Sequence, residues 1–144
     1  MKFKYIAAVA AMAAGLLTGC AYTGKTDIIS ENTGDETGAV GTYKQIAPDE
    51  AKKLMDSESD YITLDARTAE EYAEGHIAGA LLIPYDEISA RAGDELPDKE
   101  KLILVYCRSG RRSKIAAETL AELGYTNVKE FGGIINWTYE TVAG

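Results

Sequence analysis

The sequence predicts an α/β fold: a single domain with a mainly parallel sheet flanked by helices. Two observations carry this. Short apolar runs of strand length alternate along the chain with helical patterns, as they do when crossover connections join parallel strands. In addition, Leu102, Ile103, Leu104, Val105 and Tyr106 run into Cys107 without a polar residue, the pattern of a strand buried on both faces. At 144 residues the chain has room for one core once its ends are set aside.

The N-terminal stretch stands apart from the fold. Lys2 and Lys4 make a basic start, residues 6–17 are apolar, and Leu17-Thr18-Gly19-Cys20 closes the run. An apolar stretch this short is a signal-peptide core and not a membrane span. The closing tetrad resembles the lipobox of bacterial lipoproteins, in which cleavage precedes a cysteine whose sulfur carries diacylglyceryl. Residues 1–19 are therefore expected to be a lipoprotein signal peptide. Residues 20–42 are expected to be the lipidated Cys20 and a flexible tether, rich in Gly, Thr, Asp and Glu. The protein is expected to be exported and held on a bacterial membrane surface by the lipid on Cys20.

The domain is expected over 43–144. Residues 43–46 read as a short strand, and Pro48 suits the first position of a helix running to 55 with acids in its first turn. Residues 61–65 are the next strand. Thr68 and Glu71 form a capping box that opens a helix through Tyr72, stopped by Gly75. A strand over 79–83 ends at Pro84, a weaker helix covers 86–92, and a polar loop follows to 100. After the strand 102–107 comes a short loop, then a helix over 113–123 with Ala116, Leu120 and Leu123 on one face and Gly124 as its stop. Residues 127–131 are the last strand, Gly132-Gly133 a turn, and 134–142 a terminal helix.

The formal charge of -8, without a basic stripe, argues against nucleic acid as a partner. Within this acidic chain, Arg108, Arg111, Arg112 and Lys114 fall between Lys101 and Ala117 with no acid among them. Strand, tight loop and helix form a cradle in which loop N–H groups and the positive helix end converge on an anion. A thiol at its mouth ionises more easily than a free one. With Cys20 acylated, Cys107 has no intramolecular disulfide partner, and a lone thiol in an oxidising compartment is a liability unless its reactivity is used. Cys107 is thus read as a nucleophile rather than a small core residue.

The chain from about Tyr43 to Trp137 resembles a single rhodanese domain. The matching residues are Asp65-Ala66-Arg67 followed by Glu71-Tyr72; Gly75-His76-Ile77-Ala78-Gly79-Ala80 with Ile83-Pro84; the loop Cys107-Arg108-Ser109-Gly110-Arg111-Arg112-Ser113; and Gly132-Gly133 with Trp137. Leu82 departs from the Asn or His the family often carries there. The resemblance implies a sulfurtransferase that moves sulfane sulfur from thiosulfate or a similar donor to a thiophilic acceptor, cyanide or a thiol, through a persulfide on Cys107. The backbone of Arg108, Ser109, Gly110, Arg111, Arg112 and Ser113 would bind substrate, with Arg108 and Arg111 clamping the anion. No metal or cofactor is implied, since the domain has one His and no second Cys. Asp65 and Arg67 either shape the site or serve structure, Arg67 as an ion pair with Glu71. His76 is read as a structural hydrogen-bonding residue and Trp137 as core. A monomer is expected.

Three competing functions stay open at this point. The domain could be a relay that delivers persulfide sulfur to a protein partner, an inert binding module, or a phosphatase or arsenate reductase of related fold. Cys107 speaks against the inert module. Against the last, Ser113 stands where the phosphatase loop carries its arginine, six residues after the cysteine.

Overall fold

The computed structural model describes residues 41–144, so the expected signal peptide, Cys20 and most of the tether lie outside the described residues. Five strands, β1 (Lys44–Gln45), β2 (Tyr61–Asp65), β3 (Leu81–Leu82), β4 (Leu102–Cys107) and β5 (Val128–Gly133), alternate with four helices. The helices are α1 (Pro48–Ser57), α2 (Ala69–Glu74), α3 (Ile88–Glu95) and α4 (Arg111–Glu122). The strands form one sheet in the order β1-β5-β4-β2-β3, every pairing parallel. The fold class is the one the alternation of patterns predicts.

The continuous apolar run of β4 follows from its central place. Paired on both edges and covered on both faces, each of its six residues is buried. Alternate side chains feed two cores. Ile103, Val105 and Cys107 pack with Ile88 and Ala92 of α3 and Ala116, Ala117 and Leu120 of α4. Leu104 and Tyr106 pack on the other face with Ala51 of α1, Phe131 and Trp137. Pro48 opens α1 with Asp49 and Glu50 in its first turn. At α2 both halves of the Thr68–Glu71 capping box are present.

The structure departs from expectation mainly at the C-terminal side. The terminal helix predicted over 134–142 is a single 3-10 turn, Ile134–Asn136. The apolar spacing that suggests a helix serves instead to seat Trp137 against Phe131 and Tyr139. The chain then runs back, and Val142 exchanges backbone hydrogen bonds with His76. Gly132-Gly133 is not a turn but the end of β5. Helix α4 starts at Arg111, two residues earlier than predicted, because Gly110 takes a left-handed conformation (φ 102°) that ends the loop there. Helix α3 extends to Glu95 through part of the expected loop, and β3 keeps only Leu81–Leu82 of the expected strand.

Candidate active site

Cys107 ends β4 at the carboxyl edge of the sheet, where parallel sheets bind ligands. Arg108, Ser109 and Gly110 turn the chain into α4, and the Gly110 N–H points at Cys107 Sγ from 3.1 Å. The turn is held from the side by β5. A Cβ on Gly133 would lie 2.2 Å from the Arg108 carbonyl oxygen and 2.6 Å from Ser109 Cα, so this position admits only glycine although its φ is ordinary.

Cys107 is 1% exposed, and burial pushes its pKa up. Hydrogen bonding more than offsets this. The Ser113 hydroxyl and the N–H groups of Ser113, Gly110 and Ser109 favour the thiolate, and the net effect holds Cys107 below the usual thiol range. Above the loop lies a cavity of about 530 Å³, walled by Arg67, Thr68, Tyr85, Arg108, Arg111 and Arg112.

Of the residues assigned to the substrate loop, Gly110 donates its N–H to the sulfur, while the Ser113 hydroxyl donates to Glu130 Oε1 at 2.6 Å and lies 3.0 Å from the Gly110 carbonyl oxygen. Arg108 and Arg111 are exposed at the mouth and form no ion pair among the described residues. Arg112 is engaged elsewhere: its Nη1 and Nη2 donate to Glu71 Oε2 and Oε1 at 2.6 and 2.8 Å. The expected Arg67–Glu71 pair is therefore wrong on both sides. Arg67 instead donates through Nε and Nη2 to Asp65, and through Nη2 to the Gly75 carbonyl at 2.7 Å. Two residues apart along an extended chain leaving β2, Asp65 and Arg67 close a buried pair before Glu71, on the solvent side of α2, comes within reach. Asp65 also accepts from the Tyr106 hydroxyl at 2.6 Å, and that hydroxyl in turn accepts from the Ile77 N–H.

The Arg112 contact, with burial opposing it, holds the Glu71 carboxyl down at about 2, against an ordinary 4.5. A depressed carboxylate stabilises the fold above its unfolded pKa and stops doing so as pH falls through the folded one. Glu71→Gln is expected to lower stability by on the order of 1 kcal/mol at neutral pH. The gap to the parent should close as pH falls from about 4.5 towards 2. Urea midpoints measured across that range check it; a gap independent of pH would mean the pair contributes through packing alone.

His76 stacks on Tyr72 at 3.6 Å between ring centroids, and its Nδ1 meets the Tyr72 carbonyl at 2.9 Å. That is the structural role its turn position predicts. Trp137 is core, as expected. One residue close to the thiol is not among those the sequence singles out. Glu130 of β5 is 2% exposed and accepts hydrogen bonds from the Ser113 hydroxyl and the Gly132 N–H. The available signal is its spacing of two from Val128, which puts both side chains on one face of the strand.

A family model described as "Rhodanese-like domain" matches residues 47–140, and the chain belongs to that family. It is 42% identical over 71 residues to the thiosulfate sulfurtransferase PspE of Escherichia coli (strain K12), a match spanning 49% of this chain and 68% of that protein. It is 38% identical over 96 residues to the thiosulfate sulfurtransferase GlpE of Coxiella burnetii, spanning 66% of this chain and 87% of that one. Among solved structures, a rhodanese with anions from E. coli superposes with a TM-score of 0.55 at 38% identity, over 58% of this chain and 99% of that chain.

Proposed function

We propose that this protein moves sulfane sulfur from thiosulfate or a similar anionic donor to a thiophilic acceptor through a persulfide on Cys107. The Cys107 thiolate attacks the outer sulfur of the donor. The donor's S–S bond breaks, sulfite leaves with the electron pair, and a Cys107 persulfide remains. Cyanide or a thiol then takes the outer sulfur and returns the thiolate. The observation that carries this reading is the Gly110 N–H donating to the Cys107 sulfur at the start of α4, with exposed Arg108 and Arg111 at the cavity above to receive the donor's oxyanion. Arg112, tied to Glu71, adds positive field at the thiolate and not a mobile clamp. Asp65 and Arg67 hold the wall of the site.

Mass spectrometry of the protein after thiosulfate treatment tests the reading. A gain of one sulfur on the Cys107 peptide is expected, and its loss on adding cyanide. No gain at Cys107 would refute the proposal. A persulfide that cyanide leaves in place would point to delivery to a protein partner.

The basic, apolar and tetrad segments of residues 1–20 support export and anchoring by lipid on Cys20. Cys20→Ser is expected to shift the protein from the membrane to the soluble fraction. A variant that still sediments with membranes would rule out this anchor.

A further inference from the structure

Four guanidiniums wall the cavity above the Cys107 loop, those of Arg67, Arg108, Arg111 and Arg112. They are not equivalent. Arg108 and Arg111 are exposed and form no ion pair among the described residues. Arg67 is buried, with both Asp65 and the Gly75 carbonyl to anchor it. Arg112 stands in the first turn of α4, and both its Nη atoms donate to the one carboxylate of Glu71. Those two bonds are the only side-chain hydrogen bonds of Arg112 among the described residues.

Glu71 is itself held in place. It is the third residue of α2, and its Oε2 accepts from the Thr68 N–H at 3.3 Å, while its own N–H donates to Thr68 Oγ1 at 3.4 Å. The carboxylate is not part of the cavity wall, whereas the guanidinium it holds is. A guanidinium engages a carboxylate and an oxyanion through the same forked edges. With Glu71 in place the charge of Arg112 is matched and its Nη1–Nη2 edge is closed to a second partner. Without Glu71 that edge has no acceptor of its own.

We propose that Glu71 limits the grip of the site on oxyanions by holding Arg112 in the wall. Arg108 and Arg111 then receive the donor's oxyanion, and the sulfite left by sulfur transfer departs without a forked third partner. When the carboxylate is neutralised, Arg112 turns its free edge to whatever oxyanion the cavity contains. Glu71 is a positioning residue that touches no substrate. The inference deepens the sulfur-transfer reading and rests on it for the identity of the oxyanion.

The test uses inorganic sulfate, an oxyanion with no sulfane sulfur. In the full chain, sulfate at constant ionic strength is titrated against alkylation by iodoacetamide, followed on the Cys107 peptide so that Cys20 does not contribute. Glu71→Gln is expected to lower the half-protecting sulfate concentration about tenfold, the effect of one added charge-assisted contact. Introduced on top of Arg112→Ala, the same substitution should lower it no more than about twofold, the part due to charge alone at screening salt. Inhibition of thiosulfate turnover by sulfite should tighten in Glu71→Gln in parallel. Should Glu71→Gln fail to fold, Glu71→Asp is read instead; one methylene shorter, it loosens the fork and shifts protection the same way. A role confined to stability moves none of these constants. Equal constants in parent and variant, no protection in either, or a gain that persists without Arg112 overturns the restraint. Persulfide formation from thiosulfate, measured on the same parent preparation, separates the two readings. A persulfide with unmoved sulfate constants sinks only the role of Glu71, whereas the predicted sulfate shift without a persulfide sinks only sulfur transfer.

Discussion

Cys107→Ser is expected to reduce sulfur transfer from thiosulfate to cyanide by on the order of a thousandfold or more, with the folded structure retained. Serine nearly matches cysteine in shape, so the buried end of β4 and the Ala116 and Ala117 packing around it need not rearrange. What disappears is the nucleophile: the donors on Cys107 favour a thiolate, and an alcohol does not ionise near neutrality even with that help. The measurement is thiocyanate production beside an unfolding curve for each protein. A folded variant with substantial turnover would place the sulfur elsewhere and remove the basis for the mechanism.

The second large effect is on stability. Asp65→Ala is expected to cost about 3–5 kcal/mol, because it leaves a charge and a hydroxyl buried without their acceptor. Asp65 is fully buried and receives the Arg67 N–H at 3.0 Å, the guanidinium at 2.6 to 3.1 Å, and the Tyr106 hydroxyl. Arg67 is 5% exposed and has little freedom to carry its charge to water. Denaturant midpoints check the size of the loss. A cost under about 1 kcal/mol, the range of exposed pairs, would show that Arg67 reaches solvent when released. Asp65→Asn, which keeps an acceptor, should lie between the two.

The parts of the site written in consecutive residues are legible in the sequence itself. A continuous apolar strand, a cysteine, a glycine-bearing loop and an amphipathic helix specify where the thiol sits, since each is a local pattern. The side-chain partners are not legible in this way. Arg112 meets Glu71 across 41 positions, and no spacing rule reveals which of several arginines an acid will choose. Along the chain Arg67 is equally able to pair forwards or backwards; the extended backbone leaving β2 selects Asp65. Glu130 reads locally as one more acid of an acidic surface. It is buried only because β5 lies between β1 and β4 with α4 above it, and strand order is not encoded in local periodicity. The absent terminal helix has the same origin: Trp137 is claimed by Phe131 across the core before a helix can form.

The parallel strand order carries a consequence for how the protein folds. Every strand pairing joins segments separated by a crossover, so none can form as a local hairpin, and sheets of this kind assemble slowly. Gly133, which walls the Arg108–Ser109 turn, arrives on the last strand to be made. The cradle around Cys107 is thus completed near the end of folding and not when α4 first coils. Until β5 joins the sheet, the Cys107 thiol lacks the completed cradle that favours its thiolate.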